Sequence, residues 1–311
     1  MQEIIIEKPT ETIITEDRQD KVVIITHGDC DGICSAAITL KYYKQAELIF
    51  SQPFLLKKVL YNDDRVKDAD ILVILDLALD DHVVNALIKI PADIVVIDHH
   101  PQSSKYNKAF DGLIDTSMST SQLTAIYYRI PTLLAEIGAI ADKIIMVNRK
   151  DKLFNEAELI RESLSYDISD NDFRIMLCNM LANDVLPSEI EEVVVRSELA
   201  KQQKTELAEL ATERIKYDDK FIFVDATDLD IEGKVSAIAG MLTITYQKPT
   251  FILFKTNDNT YVLSGRNYHG IDIDLDVIMK RFGGGGHKNA ASARIKYPEN
   301  ILEELKNILG E

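Results

Sequence analysis

The chain has 311 residues, 46% hydrophobic and 28% charged, with 51 acidic against 35 basic side chains and a formal charge of −16. That length accommodates two domains with cores of their own, and the composition is that of an ordinary globular protein. The charge excludes a protein that coats long nucleic acid through a broad basic face, because phosphate neutralisation supplies most non-specific affinity.

Along the chain, residues 1–20 are polar and acidic apart from Ile4-Ile5-Ile6 and read as an extension. The start, Met1-Gln2-Glu3-Ile4-Ile5-Ile6-Glu7, lacks the basic flank of a secretory signal, and no apolar run reaches the roughly 18 residues that cross a bilayer. A cytoplasmic location without membrane contact is therefore expected. Five apolar runs read as strands, at about 22–26, 46–51, 70–75, 93–97 and 111–115, with helical patterns at about 33–44, 81–89, 120–129 and 132–147. This alternation predicts an α/β fold with a mostly parallel sheet covered by helices on both faces, over residues 21–187. The basic run Asn148-Arg149-Lys150-Asp151-Lys152 reads as a solvated loop. Ser188 with Glu191 has capping-box spacing and opens a charged connector helix within 188–217. A smaller α/β domain follows over 218–311, with strands near 221–225, 250–255, 260–265 and 291–296 and helices near 234–246 and 274–281. The cysteines, Cys30, Cys34 and Cys178, are odd in number and lack Cys-x-x-Cys spacing, so they read as reduced thiols.

Chemistry concentrates where the buried strands end, which is where open α/β sheets bind ligands. After Val22-Val23-Ile24-Ile25-Thr26 come His27, Asp29 and Asp31 at alternate positions, then Gly32. In extended chain all three side chains share a face. Asp76 closes the run Ile71-Leu72-Val73-Ile74-Leu75, where an aspartate either binds a metal or caps the next helix. Asp98-His99-His100 follows Ile94-Val95-Val96-Ile97; adjacent histidines point in different directions, so one can ligate a metal while the other faces a substrate oxygen. Nitrogen and carboxylate donors without thiolate suit manganese, magnesium or iron better than structural zinc.

His27-x-Asp29-x-Asp31-Gly32, Asp76, Asp98-His99-His100 and Gly138-Ala139-Ile140-Ala141-Asp142 resemble, in order, the four motifs of the DHH phosphoesterase superfamily. That superfamily includes RecJ exonucleases, nano-RNases and cyclic-dinucleotide phosphodiesterases, exopolyphosphatases and manganese pyrophosphatases. The resemblance implies two Mn²⁺ ions, with Mg²⁺ as a substitute. His27, Asp29 and Asp76 would hold one ion; Asp31, Asp76, His99 and Asp142 would hold the other, with Asp76 bridging. His100 would contact the scissile phosphate, and Asp98 would orient a neighbouring histidine. Asp142 falls inside the helix expected over 132–147, and Cys30 occupies a variable position as a packed thiol.

Phe282-Gly283-Gly284-Gly285-Gly286-His287-Lys288-Asn289-Ala290-Ala291-Ser292 is the second distinctive run. Consecutive glycines permit close backbone approach, with N–H groups open to an anion. The run resembles the Gly-Gly-Gly-His-x-x-Ala-Ala motif of the DHH-associated substrate-binding domain, with Ser292 where the family often has a last glycine. By that resemblance Gly284, Gly285, Gly286 and His287 close over a cleft between the domains and bind a terminal nucleotide. Arg266, at the end of Ser264-Gly265-Arg266, would grip phosphate, with Lys234 a weaker candidate. The function so implied is two-metal hydrolysis of phosphodiesters, with no Ser, Cys or Lys nucleophile. The favoured substrate is an end of single-stranded DNA or RNA. The alternatives are short oligonucleotides or cyclic dinucleotides, and a replisome partner docking on GINS and the MCM helicase.

Overall fold

A computed structural model describes residues 20–310, so all but Asp20 of the extension expected over 1–20 lies outside the described residues. The chain divides into two compact units, one running to Ala157 and resuming over Asn171–Val185, the other comprising Glu158–Asp170 and the residues from Leu186 onward.

The first unit is built on β1 (Val22–His27), α1 (Cys30–Tyr42), β2 (Glu47–Ser51), α2 (Pro53–Asn62), α3 (Asp64–Lys67), β3 (Ile71–Leu75), α4 (Asp81–Leu87), β4 (Asp93–Asp98) and β5 (Asp111–Ile114). Helices α5 (Thr120–Tyr128), α6 (Leu134–Ala141), α7 (Lys152–Tyr166, which crosses the division) and α8 (Asn171–Ala182) follow. The five strands are all parallel, in the order β2-β1-β3-β4-β5. One sheet face is covered by the apolar sides of α2 and α4, with Ile25, Leu72, Ile74, Leu56 and Leu60 in one core. Helix α1 is buried almost all round, and its small polar residues Ser35 and Thr39 are satisfied within the helix by donating to the Asp31 and Ser35 carbonyls. The strands are added in opposite directions across the sheet on either side of β1 and β3, so the crevice at their carboxyl ends is the natural ligand position.

Several expectations need correction. Helices α7 and α8 add to the expected set, and the connector helix begins at Glu191 after Ile190, which offers no side-chain cap, so Ser188 does not cap it. The helix expected over 132–147 stops at Ala141: Asp142 caps it and Lys143 has φ +60°, so Asp142 lies at a helix end rather than within a solvated face. Helix α2 was not expected, because Gln52 offers no side-chain cap and Phe54-Leu55-Leu56 breaks the helical period.

The second unit contains α9 (Glu191–Thr212), β6 (Ile215–Asp218), β7 (Ile222–Ala226), α10 (Val235–Tyr246), β8 (Thr250–Lys255), β9 (Tyr261–Arg266), α11 (Leu275–Arg281), β10 (Gly285–His287), β11 (Ala290–Ile295) and α12 (Ile301–Leu309). Its six-stranded sheet runs β10-β11-β9-β8-β7-β6, antiparallel except between β7 and β8. Among the described residues no helix is long and apolar enough to cross a membrane, and all three cysteines are free and buried.

Candidate metal centre

At the β1–β3 crevice, β1 delivers His27 as its last residue, and Asp29 begins α1 by accepting the Gly32 N–H at 3.0 Å. Gly32 is required by the tightness of this turn: a Cβ there would lie 2.2 Å from the His27 carbonyl oxygen. Asp76 follows β3 with φ +56°, a left-handed conformation that aspartate tolerates better than most residues but that still costs about 1–3 kcal/mol. Strain of this kind persists where the surroundings over-determine it. Here the Asp76 N–H is held by the Ile97 carbonyl at 3.1 Å, and Oδ1 accepts the Thr120 hydroxyl at 2.9 Å.

Asp31 is fully buried, and both of its oxygens are occupied at the start of α5, by the backbone N–H groups of Thr120 (2.7 Å) and Ser121 (3.1 Å). The first turn of a helix is a place where a carboxylate is favoured by free N–H groups and the helix dipole. Gly138 of α6 completes this packing, since a Cβ would lie 2.4 Å from Asp31 Oδ1 and 2.2 Å from Ser121 Oγ.

The histidines close the cluster. Gln52 Oε1 lies 3.1 Å from His27 Nε2, which assigns the Nε2 proton to that bond. Nδ1 then faces Asp29 Oδ2 at 2.8 Å and Asp76 Oδ2 at 3.9 Å. A neutral imidazole would present a lone pair to two carboxylates, so the arrangement is attractive only with a proton or cation between them. Burial pushes the His27 pKa down, but the hydrogen bond and charge of Asp29 outweigh it and the net direction is up. His99 Nε2 lies 3.5 Å from Asp76 Oδ1 and 3.3 Å from Asp142 Oδ2, longer than the roughly 2.7–2.9 Å of a charge-assisted hydrogen bond. Burial and the Asp29, Asp31 and Asp142 charges hold the Asp76 carboxyl well above the usual range. Burial, then Asp31 and Asp29, push Asp142 up to about 7. Asp142 also ends a helix, where the dipole disfavours negative charge.

This is the electrostatic pattern of a cation site. The donors fall into overlapping sets whose atoms lie within 4.8 Å of one another: His27, Asp29 and Asp76; Asp31, His99 and Asp142; and Asp76, His99 and His100. Asp76 turns Oδ1 toward His99 and Oδ2 toward His27. The nitrogen and carboxylate set fits hard or borderline divalent ions. Cys30, in the same loop, is buried, and its hydrogen bond to Cys34 together with burial keeps it a thiol, a poor ligand.

His100, in the set with Asp76 and His99, is held from behind. Its Nδ1 is 2.7 Å from Asp98 Oδ1; Asp98 is fully buried, and its other oxygen accepts the Ser103 hydroxyl, itself the acceptor of the Leu79 N–H at 2.8 Å. The Asp98 hydrogen bond raises the His100 pKa against the opposing effect of burial.

Several contributors were not singled out from sequence. Thr120 and Ser121 act largely through backbone N–H groups, which any residue supplies; the available signal was the Ser119–Gln122 capping box. Arg174, nearly buried, donates from Nε to the Gly28 carbonyl at 3.1 Å and braces the β1–α1 loop from α8.

In the second unit Arg266 ends β9 and its Nη2 donates to Ser236 Oγ at 2.7 Å. Lys234 donates to the Tyr166 carbonyl at 3.3 Å. The expectation that the glycine N–H groups stand open to an anion is corrected at three positions. Those of Gly283, Gly284 and Gly286 go to the Lys280 carbonyl, the Met279 carbonyl and Asp276 Oδ1. Close approach is the reason for glycine here: a Cβ on Gly284 would lie 2.1 Å from the Ser292 carbonyl oxygen. Gly285 pairs with Ser292 across β10 and β11, and His287 is exposed at the end of β10.

Comparison with known proteins gives the same two parts. Residues 21–144 match the DHH family, N-terminal domain, and residues 218–311 match the DHHA1 domain. The chain is similar to the pGpG-specific phosphodiesterase PggH of Vibrio cholerae, with TM-score 0.58 and 15% identity over 93% of this chain and 98% of that one. It is also similar to RecJ from Thermus thermophilus in complex with Mn²⁺, with TM-score 0.64 and 14% identity over 93% of this chain and 52% of that one. A membrane protein–large ribosomal subunit bL9 fusion protein of onion yellows phytoplasma is 21% identical over 253 residues, 78% of this chain. The chain spans 28% of the length of that curated relative. With both domain matches in order and the motif residues gathered at one crevice, the chain belongs to the DHH phosphoesterase superfamily and carries the DHH-associated domain at its C-terminal end.

Proposed function

We propose that the protein is a two-metal phosphodiesterase that removes nucleotides from an end of single-stranded DNA or RNA. The observation that carries this reading is the division of the Asp76 carboxylate between two donor sets, Oδ2 toward His27 with Asp29 and Oδ1 toward His99 with His100, while His99 also joins Asp31 and Asp142. Two Mn²⁺ ions, or Mg²⁺ in their place, would be held there, and when bound they supply Lewis acidity to the phosphate and to a water.

The chain's own residues do the rest. Asp31, locked by two N–H donors, and Asp76, locked by Thr120, hold the site's geometry before substrate arrives. Asp98, fixed by Ser103, accepts the hydrogen bond from Nδ1–H of His100 and favours its protonated form, whose Nε2–H donates to a phosphate oxygen or gives its proton to the departing alkoxide, leaving the ring neutral. Arg266, whose guanidinium donates to the hydroxyl and carbonyl of Ser236 rather than to a carboxylate, retains a net charge for phosphate, and His287 with Gly284, Gly285 and Gly286 supplies the substrate-binding hairpin of the second unit.

The test is hydrolysis by metal-stripped protein given Mn²⁺, with single strands labelled separately at each end and dinucleotides in parallel. Progressive shortening of the strands is expected, and the label lost first gives the polarity. Cleavage confined to molecules of a few nucleotides would assign the nano-RNase type of activity instead. No turnover with metal bound would overturn the reading and favour docking on replication proteins such as GINS as the chain's role, within a cytoplasmic setting.

A further inference from the structure

We propose that the solvent face of α2 is a track for single-stranded nucleic acid leading away from the metal centre, so that the substrate is a strand rather than a dinucleotide. The inference rests on the phosphodiesterase reading of the centre and deepens it by assigning the surface that would hold the strand beyond the centre.

Helix α2 starts at Pro53, directly after Gln52, whose side chain bonds His27 at 3.1 Å. Its inner face is fixed by the buried Leu56 and Leu60. Its outer face carries Phe54 (73% exposed), Leu55 (40%) and Tyr61 (48%), together with the exposed Lys57 and Lys58. Phe54 is the most exposed aromatic side chain among the described residues. Phe54, Lys58 and Tyr61 are spaced i, i+4, i+7 and so lie on one stripe, about 10 Å long at 1.5 Å per residue.

A stripe of aromatic, cation, aromatic suits a single strand. Aromatic rings stack on any base, and lysines follow the phosphates. The stripe is set apart by charge as well. The chain carries 16 more acidic than basic residues (51 − 35), yet α2 contains no acid in its ten residues. Among the described residues neither lysine enters an ion pair. Just beyond the helix, Asp63 is engaged by Arg65 and Asp64 by Lys67. The surplus of carboxylates over the chain repels a polyanion; α2 adds none to it and brings two lysines, beside the residue that touches a metal-site histidine. A dinucleotide has one bridging phosphate to offer the centre, whereas a strand of several nucleotides has further bases and phosphates to follow the length of the stripe.

The experiment measures binding of labelled twelve-nucleotide single strands to metal-free protein by anisotropy across a salt series, and KM for strand and dinucleotide with Mn²⁺. Phe54→Ala and Tyr61→Ala are each expected to weaken strand binding about tenfold or more. Their effect on the KM ratio of strand to dinucleotide should be of the same size. Lys57→Gln with Lys58→Gln should lower the slope of log affinity against log salt by about 0.7 for each phosphate no longer neutralised. All four side chains are exposed, so the variants should melt as the parent does. Wild-type strand affinity in Phe54→Ala/Tyr61→Ala, or equal losses for strand and dinucleotide, would overturn the track while leaving the proposed chemistry standing. Strand binding that depends on α2 in a protein that hydrolyses nothing would support the track and overturn the chemistry.

Discussion

The two candidate regions are assembled on opposite principles. In the first unit, four carboxylates (Asp29, Asp31, Asp76 and Asp142) are drawn together around His27 and His99, one of them at φ +56° and one at a helix C-terminus. Helix-start N–H groups hold Asp29 and Asp31, but the mutual repulsion of the four is imposed by the fold, and a proton or a metal cation relieves it. In the second unit the glycine hairpin is internally satisfied, its N–H groups spent on Lys280, Met279 and Asp276, and its glycines are there for backbone contact with β11. Electrostatic strain marks the first region as a chemical centre. The second is a packed scaffold that presents Arg266 and His287.

The strongest way to break this contrast is at Asp76. Asp76→Gly is expected to reduce hydrolysis by about a thousandfold or more, because several kcal/mol of charge stabilisation depend on the ions it would share. The same change should raise the melting temperature of the metal-free protein by a few degrees, since it removes both the left-handed strain and a buried like charge. A variant that loses activity and stability together would contradict the strained-site account. Thr120→Val should weaken Mn²⁺ binding roughly ten- to a hundredfold in calorimetry, with Thr120→Ser restoring it, because that hydroxyl orients Asp76.

Proton competition sharpens the comparison further. Asp142, pushed up to about 7, must lose its proton to ligate, so Mn²⁺ affinity should fall about tenfold as pH drops from 8 to 6. For the metal-free protein the sign is opposite. A folded pKa raised above the unfolded value gives stability that is present at low pH and lost as pH rises through about 7, so melting should come at lower temperature at pH 8 than at pH 6. Unchanged melting over that window would remove Asp142 from the strained set. In the second unit, Arg266→Gln should raise KM for a strand about tenfold with little change in kcat, and without altering Mn²⁺ affinity. A loss of metal binding there would blur the distinction between the regions.

Much of the centre was legible in the sequence because its side chains follow β-branched runs, and a buried parallel strand ends where the ligand crevice opens. His27, Asp29, Asp31, Asp76, His99, His100 and Asp142 could be named from spacing and resemblance. Thr120 and Ser121 could not, since their contribution passes largely through backbone N–H groups 89 and 90 residues from Asp31. The helix end at Asp142 was hidden as well, because no glycine or proline marks it and Lys143 takes the left-handed position. The glycine run was read correctly as a place of close approach but not as a satisfied one; hydrogen-bond partners such as Asp276 are fixed only by tertiary packing. Helix α2 escaped notice for want of a capping side chain at Gln52, and with it the cationic stripe.

The central claim is that Asp76 joins two cation sites, and Mn²⁺ stoichiometry tests it most directly. Metal-stripped protein titrated with Mn²⁺, followed by calorimetry and by electron paramagnetic resonance, should bind two ions per chain whose spins are coupled, and Asp76→Ala should abolish the coupling and at least one ion. A single uncoupled ion in the parent, or coupling that survives without Asp76, would contradict the account.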